Sequence, residues 1–159
     1  MGDWLMLGGF FAACFVTAAS GAIFTPGAWY DGLKKPWWRP PNWLFGPAWG
    51  VLFCCIAVAG WLVWRQAGFG LALAAYGVQL VLNFAWSWLF FGLRRPDLAF
   101  VELCALWVSI AICIALFAPI SAGAAWLFVP YLAWVSFAGV LNLTMWRLNG
   151  ARPNGAYAK

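Results

Sequence analysis

Five long apolar runs, separated by short stretches that hold the charges, prolines and glycines, limit what this chain can fold into more than any other feature. They fall at about 4–24, 43–64, 71–93, 98–118 and 124–146. A helix needs about 20 apolar residues to cross the hydrocarbon core of a bilayer, and each run reaches that length. Strands of a membrane barrel would alternate over segments of roughly 10 residues, whereas these runs are apolar throughout. In lipid only helices and closed barrels satisfy their own backbone hydrogen bonds. The expected fold is therefore an all-α integral membrane protein, a bundle of five transmembrane helices forming one domain over 1–159. Composition agrees: 66 % of the 159 residues are apolar and 8 % are charged, against about 25 % charged in a soluble domain.

The connections give a topology. They lie at 25–42, 65–70, 94–97 and 119–123, and a polar tail occupies 147–159. Lys34, Lys35, Arg39, Arg94, Arg95, Arg147, Arg152 and Lys159 fall on one side, and only Arg65 on the other. Lysine and arginine gather on cytoplasmic loops, which sets the N-terminus outside and the C-terminus in the cytoplasm of, by expectation, a bacterial cell membrane. The net charge of +5 thus describes insertion; a nucleic-acid partner would require a basic patch on a soluble face. The first run opens Met1-Gly2-Asp3 with no basic residue before it. A secretory signal has a positive leading region, so this run reads as a retained span.

Chemistry is constrained by what is missing. There is no histidine, and the acids are Asp3, Asp31, Asp97 and Glu102. No general acid–base pair and no nucleophile beside a base is visible, which argues against hydrolytic or general acid–base chemistry. The cysteines, Cys14, Cys54, Cys55, Cys104 and Cys113, sit inside apolar runs without metal-site spacing and read as small hydrophobes; no metal site is expected. Glu102 falls about one turn into the fourth run, where a helix N-terminus favours negative charge, and is read as interfacial.

Fourteen tryptophans exceed what two interfacial belts require. Several lie in or just after the long connection, with Pro36, Pro40 and Pro41 nearby. Three prolines within six residues impose a stiff, extended backbone. That segment is either an aromatic anchor at the headgroup level or a lid over a cavity between helices. In the third run Gln79, Asn83, Trp86, Ser87 and Phe90 share one helical face, and in the fifth Trp134, Ala138, Leu141 and Asn142 do the same. Asn83 and Asn142 either hydrogen-bond across helices, worth about 1 kcal/mol, or supply polar contacts to a ligand. Together with Trp49, these faces suit a mostly apolar pocket with a few orienting polar groups, walled by indoles that fit a large flat molecule. Pro130 should kink the fifth helix beside it. Gly9, Ala13, Thr17 and Gly21 form a small-residue stripe on the first span that lets another helix approach closely, either within the bundle, the favoured reading, or in a dimer.

At these residues the sequence resembles the TspO/translocator protein family of tryptophan-rich sensory proteins, which includes the peripheral benzodiazepine receptor. The likeness runs through Trp29-Tyr30, Leu33, Lys35-Pro36, Trp38, Pro40-Pro41, Phe45 and Trp49. It continues in Gln79-Leu80, Asn83 and Trp86-Ser87, then in Pro130-Tyr131-Leu132, Trp134, Ala138 and Leu141-Asn142. The resemblance implies a homodimer of five-helix subunits with a ligand pocket under the long loop. The pocket would be lined by Tyr30, Phe45, Trp49, Asn83, Ser87, Trp134, Ala138 and Leu141; Trp86, Phe90 and Asn142 join them from the helical faces above. It implies as ligands protoporphyrin IX or a haem-like tetrapyrrole, sterols, and benzodiazepine-type compounds, with no obligatory cofactor. Sterol is subordinate, because the tyrosine pair of the animal sterol-recognition pattern falls here on Leu143 and Thr144. The expected function is a porphyrin receptor or sensor. The alternatives are an enzyme that degrades porphyrin in light through Trp49 and Trp134, or a transporter of the same ligands.

Overall fold

A computed structural model describes residues 2–150. The expected five spans are present as α1 (Gly2–Ile23), α3 (Asn42–Ala67), α4 (Leu71–Ser87, continued through Gly92), α5 (Pro96–Phe117) and α6 (Ala122–Asn149). All five are long and apolar enough to cross a membrane. A single turn, α2 (Ala28–Asp31), lies within the long connection. The chain is a five-helix bundle in which α6 packs on α3 and α5, α4 on α5, and α1 on α3 and α4. Apolar side chains on the mid-helix outer surface, including Val51, Val81, Val101 and Val140, are exposed. Such a surface suits hydrocarbon and would be unstable in water.

The core lies toward the end at which α1 begins. Ile56, Ala57, Ala59, Val63, Ile110, Cys113, Phe117 and Phe128 are fully buried there. α1 and α3 meet closely because Gly60 has no side chain: a Cβ at that position would stand 2.8 Å from the rings of Phe10 and Tyr76. At the same end Arg65 pairs with Asp3 at 3.2 Å, and the Trp61 indole donates to the Asp3 carbonyl at 3.0 Å. The topology gathers Lys34, Lys35, Arg39, Arg94, Arg95 and Arg147 at the opposite end. Arg152 and Lys159, with the rest of the tail beyond 150, lie outside the described residues.

One expectation is corrected. Most of the stripe on α1 does not serve internal packing: Thr17 is buried, but Gly9, Ala13 and Gly21 are exposed, and nothing lies within 4 Å of a Cβ built on either glycine. The packed face is displaced around the helix, to Phe10, Cys14, Thr17 and Ser20, because the larger side chains fill the space against α3 and α4. Since α5 begins at Pro96, Glu102 falls on its second turn, where both carboxyl oxygens are buried with no hydrogen-bond partner among the described residues.

α4 ends unusually. Trp88–Gly92 form a π-helical turn, with the Leu93 amide donating to the Trp88 carbonyl at 2.8 Å, and Arg94 follows at φ +55°. The wider turn rotates the end of α4, so that Phe90 and Phe91 both face the interior. Widened turns of this kind recur at functional sites.

Candidate functional site

A cavity of about 610 Å³ opens between the helices beneath the long connection. Tyr30, Phe45, Trp49, Asn83, Trp86, Ser87, Phe90, Trp134, Ala138, Leu141 and Asn142 all line it. Helical period explains the convergence: α4 contributes 83, 86, 87 and 90, and α6 contributes 134, 138, 141 and 142, each set on one face. The aromatic residues form two groups. Trp86 stacks on Phe90 with centroids 5.4 Å apart, and Tyr30 meets Phe90 edge-on at 6.3 Å. In the second group Trp134 lies edge-on to Phe45 at 5.8 Å and to Trp49 at 6.5 Å.

The few polar groups are placed by a hydrogen-bonded frame. Asn83 Nδ2 donates to the Tyr131 hydroxyl at 2.7 Å, and that hydroxyl donates to Gln79 Oε1 at 3.0 Å. Lower down, the Trp86 indole donates to Asn142 Oδ1 at 3.3 Å, and Asn142 Nδ2 donates to the Pro96 carbonyl at 2.7 Å. Both asparagines therefore tie helices together, α4 to α6 and α6 to α5. On the α4 face this leaves Asn83 Oδ1 and Ser87 Oγ, neither with a partner among the described residues, as polar atoms exposed to a mostly apolar cavity.

The long connection closes one end of the cavity. Tyr30 and Leu33 are buried against Phe90, Ala99, Leu141 and Met145. Trp29 packs edge-on to Phe90 at 5.9 Å and Trp38 to Phe137 at 5.9 Å. Its backbone is clamped to the end of α6: Lys34 N donates to Asn149 Oδ1 at 2.8 Å, and Asn149 Nδ2 returns to the Lys34 carbonyl at 2.9 Å. Of the tryptophans within this connection, Trp37 points away from the bundle, 95 % exposed.

Sequence reasoning missed one wall. Phe11, Cys14, Phe15, Thr17, Ala18, Ser20 and Gly21 of α1 line the cavity, as do Gly46, Gly50, Phe53 and Cys54 of α3. The signal was present but weak: Phe11 and Phe15 stand at helical spacing, and Thr17 and Gly21 belong to the small-residue stripe, which was read as a packing face. Among the described residues no cluster of metal-ligating side chains occurs.

Residues 10–147 match the model of the TspO/MBR family. The chain belongs to this family. Among its relatives, the protein CrtK of Rhodobacter capsulatus is 42 % identical over 152 residues, covering 91 % of this chain and 93 % of CrtK. The tryptophan-rich sensory protein of Cereibacter sphaeroides is 40 % identical over 151 residues, covering 95 % and 96 %. The human translocator protein is 37 % identical over 154 residues, covering 92 % and 91 %. The TspO/MBR assignment thus spans all five helices and the lid, the elements that build the cavity.

Proposed function

We propose that this TspO-family membrane protein is a receptor that binds tetrapyrroles, protoporphyrin IX or a haem-like ring foremost, in the cavity beneath its lid. The observation that supports this most is the pairing of two aromatic groups, Tyr30–Phe90–Trp86 and Phe45–Trp134–Trp49, around one space of about 610 Å³. That volume lies within the range of about 300–1,000 Å³ usual for small-molecule sites, and flat π-faces favour a flat apolar ligand through offset and edge contacts. Sterols and benzodiazepine-type compounds are secondary ligands of the same space. The lysine and arginine bias supports a cytoplasmic lid and a cytoplasmic end of α6.

Titrating the purified protein with protoporphyrin IX while following tryptophan quenching tests this reading. Trp134→Phe weakens binding several-fold by shrinking one wall, and Ala138→Phe abolishes it by filling the cavity without removing a hydrogen bond. Unchanged affinity in both variants defeats the reading.

A second reading, porphyrin breakdown in light, is favoured by one observation: Trp49 and Trp134 are neighbours in the cavity, 6.5 Å apart, with Tyr131 6.2 Å from Trp49. Such a group supplies one-electron partners to a light-excited ring. Illuminated ligand then decays more slowly with Trp49→Phe/Trp134→Phe protein; equal decay rates refute it.

A further inference from the structure

The aromatic contacts of the cavity continue past it. From Trp49 they run away from the lid into the packed core. Trp49 meets Tyr131 edge-on with centroids 6.2 Å apart, Tyr131 meets Phe128 edge-on at 5.8 Å, and Phe128 lies tilted against Tyr76 at 6.3 Å. The Tyr76 hydroxyl then shares a hydrogen bond of 3.4 Å with Cys14 Sγ. Tyr131, Phe128, Tyr76 and Cys14 are all buried in one cluster. Cys14 ends the line at the α1 wall, where it borders the cavity again.

The line is also an order of oxidisability. An indole radical cation is a stronger oxidant than a phenoxyl radical, and a phenoxyl radical exchanges a hydrogen atom with a thiol at nearly even free energy. Phe128 holds no radical itself, but its ring fills the space between the two tyrosines with packed atoms. A phenol gives up an electron readily only when its proton has somewhere to go, and both hydroxyls meet that condition. Tyr131 donates to Gln79 Oε1 at 3.0 Å, and Tyr76 is paired with the thiol. Packing explains why buried tyrosine hydroxyls find partners. It does not explain why one partner is a thiol, or why the line starts at a cavity indole.

We propose that Tyr131, Tyr76 and Cys14 form a radical relay that restores Trp49 after a light-excited ring in the cavity has taken an electron from it. This rests on the light-driven reading and adds to it the fate of the tryptophan radical. The excited ring gains one electron and becomes a radical anion, and Trp49 becomes an indole radical cation. Tyr131 returns an electron to the indole, its hydroxyl proton shifting to Gln79 Oε1. The Tyr76–Cys14 pair then reduces Tyr131, which recovers that proton, and the deficit settles on sulfur as a thiyl radical. The thiol proton leaves into the cavity that Cys14 borders and neutralises the ring radical anion. In sum one S–H bond breaks: its electron reaches the ring through the tyrosines, its proton through the cavity. Without a hydrogen donor to reset it, the thiyl radical takes up dioxygen and Cys14 climbs to sulfinic and sulfonic acid.

The test illuminates the protein loaded with protoporphyrin IX in nanodiscs, with azide present to remove singlet oxygen. Flash absorption and electron paramagnetic resonance follow the radicals, and mass spectrometry follows oxidised cysteine. In wild type an indole radical gives way to a phenoxyl radical. Buried Cys14 is then oxidised ahead of Cys54 and Cys104, although both of those are exposed and Cys54 also borders the cavity. Tyr76→Phe binds the ligand as wild type does, which shows that it folds. It keeps the Tyr131 phenoxyl signal but loses Cys14 oxidation. Tyr131→Phe loses the phenoxyl signal, and Trp49 is consumed instead. Equal Cys14 oxidation in wild type and Tyr76→Phe overturns the proposal, since the thiol would then be attacked directly from the cavity. An indole radical that decays alike in wild type and Tyr131→Phe overturns it too, and leaves the light-driven reading standing. Bound ligand with no protein radical in any variant refutes the light-driven reading and the relay with it.

Discussion

The Tyr131 ring is fully buried, and its hydroxyl is the only link between Asn83 and Gln79 described above. Tyr131→Phe strands the Gln79 carbonyl and the Asn83 amide together, at a cost of about 1–3 kcal/mol. A lower midpoint of thermal unfolding in detergent is the expected outcome, and an unaltered midpoint would mean that the hydroxyl holds nothing. Glu102 is the opposite case. Its buried carboxyl oxygens have no partner among the described residues, so Glu102→Gln keeps the shape and loses no contact; the expected change is within about 1 kcal/mol. A larger loss would reveal an ion pair and restore interest in a proton path. The Asn83 and Asn142 faces were legible because polar residues are scarce in these spans, and scarcity makes helical spacing visible. The partners of their amides were not, since Pro96 and Tyr131 come from other elements and a periodic pattern carries no contact information. The burial of the Glu102 carboxyl by other side chains was not legible, since position along a helix says nothing about its neighbours.

Helices were the easiest feature to read, because a bilayer fixes a minimum length and these runs meet it. Less visible were departures from the regular helix. The π-helical turn at Trp88–Gly92 leaves the apolar run uninterrupted, so no change in composition announces it. The crossing at Gly60 was equally silent. Gly60→Ala forces a methyl group against the Phe10 and Tyr76 rings, and overpacking of this kind costs about 1–3 kcal/mol; the check is the same thermal midpoint, with Gly50→Ala, which faces open space, as the neutral comparison. Equal effects at the two glycines would place the α1–α3 contact elsewhere. At the lid, stiffness was foreseeable from proline, but the clamp to α6 was not, as Lys34 and Asn149 are 115 residues apart. Asn149→Ala releases two backbone hydrogen bonds, so amide exchange around Lys34 and Lys35 accelerates and bound ligand leaves faster. Unchanged exchange would show that aromatic packing alone holds the lid.

The whole molecule combines a packed end, where α1, α3 and α4 meet around Gly60, with a hollow end closed by the loop. Charge follows the same division, with Arg65 and Asp3 at the packed end and the remaining described cations at the hollow one. If the positive side is cytoplasmic, a membrane-impermeant maleimide applied to intact cells labels Gln66→Cys and reaches Lys34→Cys only after permeabilisation; the reverse pattern inverts the topology. Architecture and family follow from apolar runs and long motifs. The α1 wall of the cavity required coordinates, because small and aliphatic residues border cavities and lipid alike. The measurement that bears most directly on the central claim is a structure of the protein with protoporphyrin IX bound. The account predicts the ring between the two aromatic groups, within about 4 Å of Trp49, Trp86 and Trp134. A ring seated on the outer, lipid-facing surface with the cavity empty would contradict it.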